Sequence, residues 1–422
     1  MLLKIPRLYD SHVHWLGTGQ IAVGLQLFDL QKPEDISEVS VKPEYFRGKW
    51  LVGFGWDHNK WPDKKLPTKD ILDRAFPNFP VMLQRADGHC SWLNSIALDQ
   101  MGFECGHSGI LLEEEHFKAY YSLPKLSDQQ IRQSLKKGCE IFNRAGFTHI
   151  RDMTCDEQQW RAALELDKAG ELTLYVQENF LCEQPKDIDR VLGLLETAKT
   201  QETPHLKALG IKVFFDGTLG SDTAWLSQCN CAHHKFSWTS DDLENLFKKA
   251  WSKGFEIAVH TIGDEAAHQV VLAARKVMAT NQYTGWLNLE HVEVLRPETV
   301  LMMKALHVRC HMQPCHWLSD KAWLKEKLGD LYKHAFPWGT LSRTGIPLYF
   351  GSDSPVAKTS FWDNQRALTE SVKAKIPALK GDIVDYHSFP GATLGETYTV
   401  FAEQKLQELV FDGRSLAFQP EK

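Results

Sequence analysis

The stretch YDSHVHWLG, residues 9–17, sets Asp10, His12 and His14 at alternate positions. In an extended strand, residues i and i+2 share a face, so the two imidazoles point the same way. The pair alone fits either a metal site or a polar strand end, because two histidines do not hold a catalytic metal by themselves. The decision rests on whether later strands end in matching groups.

They do. Short β-rich runs recur, several closing in a polar residue and followed by helix-like sequence: LYDSHVH (8–14), THIRDM (148–153), LYVQENF (174–180), IKVFFDG (211–217), EIAVHTIGD (256–264), LNLEHVE (287–293), HVRCHMQP (307–314) and PLYFGSDSP (347–355). Between them lie helical patterns such as SDDLENLFKKAWSKG (240–254), with Ser240 or Asp241 as a start and Gly254 as a stop. Eight strands alternating with helices predict an α/β fold, a parallel (β/α)8 TIM barrel with its active site at the C-terminal strand ends. The segment between the first two runs is too long for one crossover helix. It carries strand-like LVGFGWD (51–57) and VMLQRADGH (81–89) and a helical stretch at 128–146. This predicts barrel strand 1 with a short N-terminal strand in 1–19, an inserted subdomain over the barrel mouth in 20–140, and the remaining barrel in 141–390. A C-terminal helix or hairpin follows in 391–422, part of a vestigial small sheet, with Asp412-Gly413 at its turn.

Composition narrows the function classes. The chain has 422 residues, 43% apolar, enough for a sizeable core in one large barrel or two domains. A net charge of −6 gives no support to nucleic-acid binding. No apolar run is long enough to span a bilayer, which argues against a membrane partner. MLLKIPRLYDSH turns polar too soon for a signal peptide. Nine cysteines, odd in number and scattered, read as reduced thiols of a cytoplasmic protein. The expected partner is a small-molecule substrate, and a homodimer is left open.

The polar strand ends form one constellation: His12 and His14 on strand 1, Lys212 on strand 4, His260 on strand 5, His291 on strand 6 and Asp353 on strand 8. Lys212, Phe214 and Asp216 share a face of strand 4. Neutral imidazoles with a carboxylate are ligands suited to Zn²⁺ or a similar divalent ion. The lysine is the odd member, since an ammonium repels a metal. Buried among cationic charge its pKa falls. The neutral amine can then take up CO₂ as a carbamate, an anionic oxygen ligand able to bridge two ions.

These residues carry a resemblance to the amidohydrolase superfamily, and within it to the branch containing N-substituted formamide deformylase. The matching stretches run in order: DSHVH (10–14), GFGWDHNKWP (53–62), RADGHCSWLNSIAL (85–98), SGILLEEE (108–115), GIKVFFDGTLGSDTA (210–224), HTIGDEAA (260–267), EHVEVL (290–295), QP (313–314) and GSDSPV (351–356). The resemblance implies a metal-dependent hydrolase of a non-peptide carbon–nitrogen bond, acting through a metal-activated hydroxide. It implies His12, His14, His260, His291 and Asp353 as ligands of one or two ions, zinc by preference, with Lys212 as the carboxylated bridge. Asp353 and His89 are the implied catalytic residues, Asp353 moving the proton and His89 facing the carbonyl oxygen or tetrahedral intermediate. Asp57, Glu113, Asp216 and Asp222 are assigned to substrate binding, and Asp10 and Asp264 to orienting histidines or starting a helix.

Two departures stand out. The family's β-sandwich is expected to be reduced or missing, given the short segment before His12. Asp222 also replaces an arginine common in relatives. The alternatives are another reaction on this scaffold, ester hydrolysis or decarboxylation, or a catalytically idle metal-binding relative. A second cluster, Cys229, Cys231, His233 and His234, has closer cysteine spacing than structural zinc sites use.

Overall fold

The computed structural model describes residues 2–86, 88, 90–104, 106–220, 222–228, 238–280, 282–391, 393 and 395–417. The chain divides into two compact units, Met1–Trp15 with Cys139–Lys422, and Leu16–Gly138.

The first unit contains an eight-stranded parallel sheet: β1 (Tyr9–Val13), β2 (His149–Cys155), β3 (Tyr175–Leu181), β4 (Leu206–Phe214), β5 (Glu256–Thr261), β6 (Leu287–His291), β7 (Val308–Met312) and β8 (Leu348–Phe350). Neighbours in sequence are neighbours in the sheet. All eight coincide with runs picked out in the sequence. The sheet closes just past β8: Asp353 N–H donates to the His12 carbonyl and His14 N–H to the Ser354 carbonyl, each at 2.8 Å. Ser352 N–H adds a bond of 2.8 Å to Asp10 Oδ1. This is the TIM-like barrel that alternating strands and helices predict.

Period-two alternation sorts the side chains. On β6, Leu287 and Leu289 are fully buried apolar residues, while Asn288 and Glu290 on the other face meet polar groups of facing strands. Helices Ser240–Ser252 and Asp264–Met278 cover neighbouring strands with Leu243, Leu246, Phe247, Val270 and Val271. The first of these starts with a capping box, Thr239 Oγ1 accepting from Asp242 N–H while the Asp242 carboxylate accepts from Thr239 N–H. The cap therefore lies one residue before the predicted Ser240.

The same unit carries a four-stranded antiparallel sheet, Leu2–Pro6, Tyr398–Ala402, Lys405–Phe411 and Arg414–Ser415. The hairpin at Asp412-Gly413 is where the sequence puts it. The N-terminal strand, however, pairs with Tyr398–Ala402, which the sequence reading passed over. That strand turns through Glu403 and Gln404, both at positive φ (49° and 64°). Such a turn is normally marked by Asn or Gly, and here the mark is absent. Gly146, at φ 93°, admits the Phe401 ring: a Cβ there would stand 2.5 Å from it.

The second unit holds a sheet in which Trp50–Trp56 runs parallel to Leu25–Gln26 and Val81–Arg85, with Cys90–Leu93 and Ile110–Leu112 continuing antiparallel. Its core gathers Trp56, Trp61 and Trp92 with Leu25, Leu27, Leu51 and Leu83. Among the described residues no helix is long and apolar enough to cross a membrane. Cys90, Cys139, Cys155, Cys182, Cys310 and Cys315 are buried thiols outside any disulfide among the described residues.

Candidate metal centre

Five of the six metal-ligand candidates converge by measured contacts. His12 Nε2 and His14 Nε2 lie 3.3 and 3.0 Å from Asp353 Oδ1. The His291 ring is 4.6 Å from that of His12 and 4.4 Å from that of His260, and its Nδ1 is 4.0 Å from Asp353 Oδ2. Lys212, the sixth, is wholly buried on β4. Its Nζ lies 4.8 Å from the Phe214 ring, which in turn is 5.2 Å from His260.

Backbone strain helps to assemble the cluster. His291 and Asp353 both adopt left-handed φ, 71° and 58°, and Val292 follows at 49°. Non-glycine residues there cost on the order of 1–3 kcal/mol each and gather at functional sites. On β6 the strain has a direct use. Alternation sends Glu290 inward and its successor outward, whereas the left-handed turn brings the His291 ring to the same interior.

Burial and charge set the titration of the group. Burial pushes Lys212 down to about 8, with Glu290 and Asp353 opposing the fall. Burial, then Lys212, lowers His260 to about 3. Burial and the neighbouring imidazoles of His260 and His12 hold His291 well below its ordinary value. For Asp353 burial pulls upward, but His12, His14 and His291 outweigh it and keep the carboxyl well below the usual range. Two of the imidazoles, His260 and His291, are therefore neutral beside an anionic Asp353 carboxylate.

The donor set passes a simple test for a cation. Among the described residues, His12 Nε2, His260 Nδ1, Lys212 Nζ and Asp353 Oδ1 are buried without a geometric hydrogen bond, and His12 and His14 meet Asp353 Oδ1 as ion-pair contacts. Each unsatisfied buried group costs about 1–3 kcal/mol. An ion bound by the imidazole nitrogens and the carboxylate removes that deficit; an ammonium at Lys212 does not fit it, a neutral or carboxylated nitrogen does.

Several supporting groups escaped the sequence reading. His12 Nδ1 meets Glu290 Oε2 at 2.6 Å, and Arg151 Nη1 donates to Glu290 Oε1 at 2.8 Å. His14 Nδ1 meets Thr154 Oγ1 at 3.2 Å, and His291 Nδ1 meets Gln313 Oε1 at 2.8 Å. His316 stacks on His291 with ring centroids 6.2 Å apart, and its Nε2 is 3.8 Å from Asp353 Oδ2. The described residues thus hold two overlapping triads with metal-ligand spacing, His12–His14–Asp353 and His291–His316–Asp353. Glu290 and Gln313 stood inside motifs that the resemblance marked, EHVEVL and QP, without a role. His316, two residues beyond QP, carried no signal at all.

The other expected residues make the following contacts. Asp10 acts on backbone at the barrel seam, through Ser352 N–H, and burial raises it to about 7; the His12 ring is held by Glu290 instead. Asp216 accepts from the N–H groups of Ile262 (2.9 Å), Gly263 (2.7 Å) and Trp225 (3.1 Å), and its Oδ1 lies 3.7 Å from His260 Nε2. Asp222, 81% exposed on its side chain and at φ 61°, pairs with Lys327 at 2.9 Å. Asp264 opens its helix and accepts from Ser227 N–H at 2.9 Å. Asp57 follows the strand Trp50–Trp56 and Glu113 begins the helix Glu113–Ser122, both in the second unit. His89 and the Cys229–His234 cluster lie outside the described residues.

A barrel with this cluster at its strand ends matches one family. The family model Amidohydro_3, amidohydrolase family, covers residues 3–374. The chain belongs to the amidohydrolase family, and it presents His/Asp groups suited to a divalent metal. It is similar to YtcJ of Bacillus subtilis (strain 168), 28% identical over 379 residues, which are 84% of this chain and 70% of that protein. Protein LONG AFTER FAR-RED 3 of Arabidopsis thaliana is 27% identical over 391 residues, 84% of this chain and 66% of its own length. The chain thus spans roughly two thirds of these relatives. Among solved structures, a metal-dependent hydrolase from Pyrococcus furiosus superposes with a TM-score of 0.71 at 25% identity, covering 87% of this chain and 77% of the other.

Proposed function

We propose that this amidohydrolase is a metal-dependent enzyme that hydrolyses a carbon–nitrogen bond in a non-peptide, formamide-like amide, as the N-substituted formamide deformylase branch does. His12, His14, His260, His291 and Asp353 would hold one or two divalent ions, zinc by preference, with Lys212 carboxylated between them. The observation that carries the reading is the set of buried, partnerless His12 Nε2, His260 Nδ1 and Asp353 Oδ1 on converging strand ends. Bound there, the ion supplies Lewis acidity toward the scissile carbonyl and lowers the pKa of a water. Asp353, kept anionic by its histidine neighbours, accepts the proton of the attacking water and returns it to the leaving nitrogen. Thr154 and Gln313 hold His14 and His291 by their Nδ1 atoms, so those rings need no rearrangement as the reaction proceeds. His89, Asp57 and Glu113 enter this reading only through the family resemblance, with a small-molecule substrate and a cytoplasmic setting.

The test is metal analysis of the purified protein combined with an assay panel of formamides, other amides and esters. Stoichiometric divalent metal, loss of activity with chelator, and turnover of formamides or amides support the proposal. A protein free of metal, or unaffected by chelator and by His12→Ala, sinks it. Turnover of esters alone redirects it to ester hydrolysis.

A further inference from the structure

The Glu290 carboxylate stands in the barrel interior, fully buried, between a proposed ligand and an arginine. One oxygen receives His12 Nδ1 at 2.6 Å and the other Arg151 Nη1 at 2.8 Å. The same Nη1 also reaches the Ser11 carbonyl at 3.3 Å, so the arginine grips the strand that carries His12. Among the described residues, Arg151 Nε and Nη2 are buried with no hydrogen-bond partner. As a device for stability this is a poor arrangement, since a buried ion pair roughly offsets its own desolvation and here leaves donors unused. The pair makes sense through the histidine it faces. With Nδ1–H donated to Glu290, the lone pair of His12 sits on Nε2, which is partnerless and directed toward Asp353 at 3.3 Å.

We infer that Glu290, locked by Arg151, is a positioning residue of the metal centre: it fixes the ring and tautomer of His12 so that Nε2 is presented to the ion. Arg151 has a second task. It neutralises a carboxylate that would otherwise compete for the metal beside its own ligand. Carboxylates behind metal-bound histidines typically change metal affinity about 10–100-fold when altered. This inference rests on the metal reading proposed above.

The experiment is a titration of chelator-stripped full-length protein with Co²⁺ against a chromophoric competitor, recording the visible band of the bound ion. Glu290→Gln, whose amide can donate to Nδ1 and reverse the tautomer, is expected to weaken Co²⁺ binding about 10–100-fold and to alter the band. Should that variant fail to fold, Glu290→Gln/Arg151→Met removes both buried charges together and is expected to show the same loss. A control, Glu256→Gln, breaks the Arg309 ion pair at the opposite end of β5 and should leave the affinity unchanged. Variant affinities within about twofold of the parent, or an equal loss in the control, overturn the inference. A parent protein that binds no Co²⁺ overturns the metal reading itself, a result distinct from both.

Discussion

The two ends of the barrel treat their histidines in opposite ways. At the N-terminal strand ends, His205 has both ring nitrogens occupied, Nδ1 by Asp167 at 2.8 Å and Nε2 by Asp412 at 2.7 Å. Tyr175 and Thr397 also donate to Asp412, so the turn of the small sheet is tied to the start of the strands. At the C-terminal ends, His12 and His260 each have one nitrogen engaged, by Glu290 and by the Gly217 carbonyl, and the other left bare. One end spends its histidines on closure. The other leaves a deficit at a common point, and a shared deficit is what distinguishes a binding centre from packing.

Four measurements break or sharpen this contrast. The largest effect is expected at the C-terminal end: Asp353→Asn should lower hydrolysis of any amide the protein accepts by about 10²–10⁴-fold, since it removes the proposed proton carrier. A large drop in melting temperature with preserved activity would reverse the assignment. Next, His205→Ala should cost about 0.5–1.5 kcal/mol of stability by removing the hydrogen bonds to Asp167 and Asp412, read by denaturant unfolding, while bound metal stays at the parent level. Loss of metal would abolish the distinction between the two ends.

The third measurement is the pH dependence of stability. The hydrogen bonds to Asp167 and Asp412 outweigh burial and raise His205 above 6.5. Its contribution is therefore complete below 6.5 and lost as pH rises through the higher folded value. His149 works in the other direction: burial lowers it to about 3, so stability drains away as pH falls from 6.5 toward 3. His205→Gln should flatten only the alkaline side of the profile, and an unchanged alkaline limb would show that His205 carries no such charge. The smallest effect is at the turn of the small sheet, where Gln404→Gly should add up to about 1 kcal/mol by relieving a left-handed residue. A loss of stability there would mean the Gln404 side chain matters more than its φ.

Much of this was legible beforehand, for identifiable reasons. All eight barrel strands are short β-rich runs, and residues ending them, His12, His260 and His291, are chemically out of place in apolar strands. Polar groups at strand ends are what a barrel uses for chemistry, so local pattern and function pointed the same way. The strand Tyr398–Ala402 was missed because its turn, Glu403-Gln404, lacks the residues that tolerate positive φ. Alternation puts Asp216 on the Lys212 face of strand 4, but β4 ends at Phe214, before Asp216 is reached.

By itself the sequence determined the strand order and the identity of the ligand candidates, because strand pattern and residue chemistry are local properties. Only the tertiary structure decided which groups stand behind those ligands. Glu290 reaches His12 across 278 positions of chain, and Arg151 reaches Glu290 across 139. His316 joins His291 because a left-handed turn, invisible in residue spacing, redirects the strand end toward it. Contacts of that kind depend on barrel closure and on a few strained dihedrals, and neither leaves a periodic trace in the chain.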